Sequence, residues 1–134
     1  MDLSELREHF ELLDGWEDRY RYLIDLGKGL APMDAALKND VTKVEGCMSQ
    51  VWLVSRFEDG HIHLVADSDA AIVRGLIAVL LIAYDGKTPA EIAALDIAPV
   101  FDALGLATHV SMNRRNGFFA MVERIKKEAH AHNR

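Results

Sequence analysis

The stretch Val44-Glu45-Gly46-Cys47-Met48-Ser49-Gln50 carries the chain's one cysteine. A thiol with an ordinary pKa is already a few per cent thiolate at neutral pH, so Cys47 is the natural candidate nucleophile. Gly46 permits an unusual backbone angle or a close approach by another molecule. The polar flanks suit a surface loop. Lys43 favours a thiolate and Glu45 opposes one. Two chemistries fit such a thiol. A cysteine hydrolase needs a base within hydrogen-bond reach, for which His61, His63 and His109 are the candidates. A sulfur carrier needs only an exposed thiolate that attacks a persulfide and takes its outer sulfur, with no metal, cofactor or second cysteine. A third reading is a non-catalytic docking domain in which Cys47 is an inert small hydrophobe. Residue types alone leave the three open.

The remaining polar clusters each have a simpler reading than chemistry. His61 and His63 share a strand face at possible metal spacing, but no third or fourth ligand accompanies them. The histidines of AHAHNR complement the end of a helix dipole. Asp67 and Asp69 lack the other ligands of a calcium loop, and suit a helix start. Arg114 and Arg115 read as solvated or as partners for acids such as those around Asp67, and Trp16, Tyr20 and Tyr22 as core packing on a helix.

Composition narrows the class. The chain has 134 residues, half of them apolar, and a formal net charge of −6. That length suits one domain spanning 1–134, and a domain of this size buries roughly two-thirds of its unfolded surface. The negative balance, without a basic stripe, argues against nucleic acid. One cysteine rules out an internal disulfide, CxxC chemistry and Cys-rich zinc sites. The longest apolar run, GLIAVLLIAY, is about half of the roughly 20 residues a membrane span needs. The acidic, amphipathic first residues have no signal-peptide character. A cytoplasmic location is expected, where thiols stay reduced.

The elements that must position Cys47 follow from periodicity. Leu3, Leu6, Phe10 and Leu13 predict a first helix capped by Asp2 or Ser4. Trp16, Tyr20, Leu23 and Ile24 predict a second, ending at Gly27 or Gly29. QVWLVSRF and HIHLVAD alternate, with Val51, Leu53, Phe57, Ile62, Leu64 and Ala66 inward, and EDG between them predicts a hairpin. VTKVEG supplies a short third strand. DSDAAIVRGLIAVLLIAYDG predicts a central buried helix capped by Ser68 or Asp67. Thr88, Pro89 and Glu91 form a capping-box start, a short helix ends at Gly105, and Ser111 or Asn113 caps a last helix carrying Phe118, Met121, Val122 and Ile125. The sum is an α+β fold with a small antiparallel sheet of about three strands packed on helices.

Several segments in order resemble one family. VEGCMSQVWL is similar to the V-x-G-C-x-S-x-V-W-L segment of the SufE proteins, and ADSDAAIVRGLIAVLL to their ADSDA-x-I-V-x-G-L helix. GWEDRYRYLIDLGKGL looks like the family's second helix, and LGLATHVSMNRRNGFFAMVERI like its ending. The resemblance implies a fold like that of iron–sulfur scaffold proteins. It implies that Cys47 accepts persulfide sulfur from a pyridoxal-phosphate-dependent cysteine desulfurase, stimulates that enzyme, and passes the sulfur to a cluster-assembly scaffold. The chain itself then needs no cofactor or metal. Gly46, Ser49, Asp67, Asp69 and Arg114 are the implied partner contacts. Met48 and Met112 depart from the Gln and Pro common in the family at those places.

Overall fold

The computed structural model describes residues 1–132. Helix α1 (Leu3–Glu11) is capped by Asp2, whose side chain accepts the Glu5 amide, and buries Leu6 and Phe10. Helix α2 (Trp16–Lys28) ends at Gly29 and buries Leu23 and Gly27. The segment from Ala31 onward includes a 3₁₀ turn at Ala35–Leu37. It leads through the Cys47 segment into β1 (Val51–Glu58), which pairs antiparallel with β2 (His61–Ser68).

The sheet has two strands among the described residues, not about three. The VTKVEG segment contributes one bridge, Lys43 to Trp52, with Val44 donating to the Val51 carbonyl and Leu53 donating to that of Thr42. It leaves β1 at once because Gly46 takes φ 87°, a left-handed backbone that a strand cannot continue through. Phe57 also differs from expectation. Although its cross-strand partner Ile62 is fully buried, Phe57 is 43 % exposed and stacks on His132.

Helix α3 (Ala71–Tyr84) is apolar nearly all round and is correspondingly buried through most of its length. Its first flanking residue is Ala70, not Ser68 or Asp67; the Ser68 hydroxyl instead accepts the Ala70 amide from two residues back. It packs so closely on α2 that a Cβ on Gly27 would stand 2.7 Å from the Gly75 nitrogen. Only glycine at both positions allows that approach. Helix α4 (Pro89–Ala94) has the full capping box between Thr88 and Glu91. Helices α5 (Ala98–Ala103) and α6 (Leu106–His109) lead to α7 (Met112–His132), where Ser111 accepts the Arg114 amide at 3.3 Å.

The core gathers Leu6, Phe10, Leu23, Leu53, Ile62, Leu76, Phe101 and Phe118 into one cluster. Phe101 and Phe118 pack with ring centroids 4.8 Å apart. Truncating either to Ala would cost about 3–5 kcal/mol. The result is an α+β fold in which α3 and α7 back the hairpin and so fix the ground on which Cys47 rests.

Candidate functional site

Cys47 lies on the irregular stretch between the Lys43 bridge and β1, half-buried. Its position comes from both sides. Val44 is pinned to β1, and Gln50 and Asp69 hold each other at the end of the hairpin. The Gln50 amide donates to Asp69 Oδ1 at 3.1 Å, and the Asp69 amide to the Gln50 carbonyl at 3.3 Å. Between these ties the chain turns at Gly46 and sets Cys47 on α7. The thiol donates to the Gly117 carbonyl, with Sγ 3.6 Å from the oxygen.

This environment favours the protonated thiol. Burial pushes its pKa up, and the carboxylate of Glu45 adds to the rise. The bond to Gly117 works the same way, because a thiolate has no proton to donate. Of the two charged neighbours seen in the sequence, Glu45 therefore prevails over Lys43. The resting thiol is guarded against oxidation, which begins from the thiolate. Activation requires the segment to lift it from α7 or a partner to bring positive charge.

Beside the thiol is a cavity of about 30 Å³, lined by Cys47, Ser49, Val73, Asn113, Arg114 and Met121 among others. That volume holds a guest of about water size and no organic substrate, whose pockets run from roughly 300 Å³ upward. No histidine lines it among the described residues. His109 stacks on Trp16 with centroids 4.7 Å apart, and His61 lies exposed at the hairpin turn, its ring nitrogen 2.9 Å from the Asp59 carbonyl oxygen.

The expected site residues separate into two groups. Cys47, Ser49 and Arg114 line one cavity, and exposed Gly46 adjoins them. Asp69 is tied to the same segment through Gln50. Asp67 stands apart. It forms ion pairs with Lys38 at 2.9 Å and Arg74 at 3.1 Å, with its side chain only 17 % exposed. Burial alone would raise its pKa. The bond to Lys38, the Ser68 amide and the nearby Arg74 overcome this and hold it below the usual carboxylate value. Lys38 also sits over the Trp52 ring, 5.2 Å from its centroid. Asp67 thus braces the segment leading to Cys47. Arg114 is exposed and is not the partner of Asp67; Lys38 and Arg74 are. Arg115 is exposed beside it. Trp16 and Tyr20 meet edge to face, whereas Tyr22 packs on Phe10, so the three form no common platform. Of AHAHNR, Asn133 and Arg134 lie outside the described residues, and among those described no cluster of three or more metal-ligating groups occurs.

Sequence reasoning missed Gly117, Asn113, Lys38 and Arg74 as neighbours of this site. Gly117 alone left a signal, being a glycine inside a helix where Ala would be about 1 kcal/mol better. It lies against the thiol, and an added Cβ would stand 3.5 Å from Cys47 Sγ, in ordinary van der Waals contact.

An α+β fold with one half-buried thiol beside a small cavity defines a small thiol-bearing protein. The SufE family, described as an Fe-S metabolism associated domain, matches residues 4–129. An uncharacterized SufE-like protein of Rhizobium meliloti is 44% identical over 131 residues, covering 95% of this chain and 94% of that protein. Another from Rhizobium etli is 46% identical over 131 residues, covering 95% and 88%. A hypothetical protein from Thermus thermophilus, solved in solution, shares the fold with a TM-score of 0.79 at 18% identity, covering 96% of this chain and 93% of that one. The chain belongs to the SufE family, whose domain is associated with iron–sulfur metabolism. No helix among the described residues is long and apolar enough to cross a membrane.

Proposed function

We propose that the chain is a sulfur acceptor for a cysteine desulfurase, acting as one domain in the cytoplasm. The Cys47 thiolate attacks the outer sulfur of the persulfide on the desulfurase cysteine. A new S–S bond forms at Cys47, the old one breaks, and the desulfurase cysteine leaves as a thiolate. Cys47 then carries the persulfide to an iron–sulfur cluster scaffold. Removal of the sulfur frees the desulfurase for another turnover, which is the stimulation expected. The pyridoxal phosphate belongs to the partner.

The observation that carries this reading is the seat of Cys47. A thiol held protonated on a liftable segment, beside a cavity of about 30 Å³, suits storage of one extra sulfur atom. A hydrolase would need a base and a substrate pocket, and an inert core cysteine would not border a cavity at the surface. Gly46, Ser49, Asp69 and Arg114 surround the segment and form the docking rim, while Asp67 acts from behind it.

The test is the intact mass of the protein after incubation with a desulfurase and cysteine, using wild type and Cys47→Ser. Wild type should gain the mass of one or more sulfur atoms, and the variant none, with its fold retained. Serine is a far poorer nucleophile at neutral pH and cannot hold a sulfane sulfur. The variant should still bind the desulfurase without stimulating alanine release. Equal stimulation by both proteins would remove Cys47 from the reaction.

A further inference from the structure

The Cys47 segment lies along one stripe of α7. Gly117 meets Cys47, Ala120 meets Gly46, and Arg124 meets Val41 and Lys43. Steps of three and four residues keep these positions on one helix face. A Cβ at Gly46 would stand 3.2 Å from that of Ala120, so the segment runs close to the helix. The Arg124 guanidinium has three partners. Nη1 donates to the Lys43 carbonyl at 3.0 Å, Nη2 to the Val41 carbonyl at 2.8 Å, and Nε to Glu128 Oε1 at 3.2 Å.

We propose that Arg124 is a positioning residue whose fork fixes the root of the Cys47 segment on α7 and thereby sets how deeply the resting thiol sits against Gly117. The other ties of this root run elsewhere. Thr42 and Val44 bond to β1, and Asn39 and Thr42 close a turn among themselves. Among the described residues, the hydrogen bonds from residues 38–50 to α7 are the two from Arg124 and the thiol's own to Gly117. The thiol bond is weak and long. The fork is charge-assisted and spans two carbonyls with a rigid, planar group. Glu128, one helical turn on, accepts from Nε only and leaves both carbonyl bonds to Nη1 and Nη2. Releasing the fork lets the root ride up from α7, and the thiol follows into water, where its thiolate is less disfavoured.

The inference refines the sulfur-acceptor reading, but its test addresses the thiol directly and needs no desulfurase. The rate of Cys47 alkylation by iodoacetamide is measured from neutral to alkaline pH for wild type, Arg124→Met and Glu128→Gln. Arg124→Met should react roughly fivefold faster at neutral pH, with the midpoint of its pH profile moved down. Glu128→Gln keeps both carbonyl bonds and should follow wild type. A natively folded Arg124→Met with the wild-type rate and midpoint overturns the proposal, as does an equal acceleration by Glu128→Gln. Should Arg124→Met not fold, nitrogen NMR of the wild-type guanidinium decides. A held fork gives two distinct Nη signals, and one averaged signal overturns the proposal.

Discussion

The two ends of the β1–β2 ladder solve the same problem by different means. At the Glu58–His61 end, Asp59 and Gly60 take φ of 53° and 81°, the paired positive angles of a tight hairpin turn. Two adjacent residues make that turn, and beside it Ile62 pairs with Lys87 and Gly86. At the Val51–Ser68 end the strands run out into Gln50 and Asp69, which bond each other, while Asp67 draws in Lys38 and Arg74. Arg124 reaches the same region from 81 residues along the chain. A turn made by its own residues has one geometry. A segment held from several elements can be loosened at one tie while the others keep its place, and the reactive thiol is found on that segment.

The largest expected difference between the ends lies at Asp67. Asp67→Ala leaves Lys38 and Arg74 partly buried without their common carboxylate and should cost about 2–3 kcal/mol, somewhat below a fully buried pair. Its sign with pH is fixed by the lowered pKa. The folded protein binds this proton more weakly than the unfolded chain. The stability it contributes is therefore complete above the ordinary aspartate value of about 3.9 and fades as pH falls through the lower folded value. Urea unfolding of wild type and variant should show the gap at neutral pH and a much smaller one near about pH 2. A gap of equal size at both would make the Asp67 contribution packing rather than charge.

At the turn the effect is smaller and confined. Gly60→Ala places a Cβ on a left-handed backbone and should cost about 1 kcal/mol. Because the turn lies at the opposite end of the ladder from Cys47, the alkylation rate of Cys47 should stay at the wild-type value. A changed rate would mean that strain travels the length of the ladder and that the two ends are not independent.

The contrast also explains what the sequence revealed. The turn, the Asp2 cap and the Thr88–Glu91 box are local chemistry, and each forms where the residues predict. The all-round apolar pattern of α3 and the motif around Cys47 are contiguous and equally legible. The third strand was misread because Thr42 and Val44 do bond to β1, while Gly46 and the seat on α7 divert the chain after one bridge. Phe57 alternates correctly and sits opposite buried Ile62, yet it is left exposed against His132. Arg124 left no trace, because a single arginine on a helix is ordinary and its acceptors are carbonyls, which have no side-chain signature. Asp67 and Asp69 look alike in DSDA. Only the pairing of Asp67 beside Trp52 separates the brace from the rim.

The subtlest expected difference concerns docking, and it sets one arginine at each end against the other. Arg114 is exposed on the rim of the Cys47 cavity, and Arg56 is exposed near the turn in a pair with Glu58. Arg114→Glu and Arg56→Glu change the net charge by the same amount. Both should leave stability within about 0.5 kcal/mol, as surface substitutions do. If the desulfurase approaches the cysteine end, only Arg114→Glu should alter binding, and it should act mainly on the association rate, with an effect that shrinks as salt is raised. Association measured at low and high salt separates the cases. Equal changes from both variants would reduce the effect to overall charge, and no change from Arg114→Glu at low salt would take that arginine out of the docking rim.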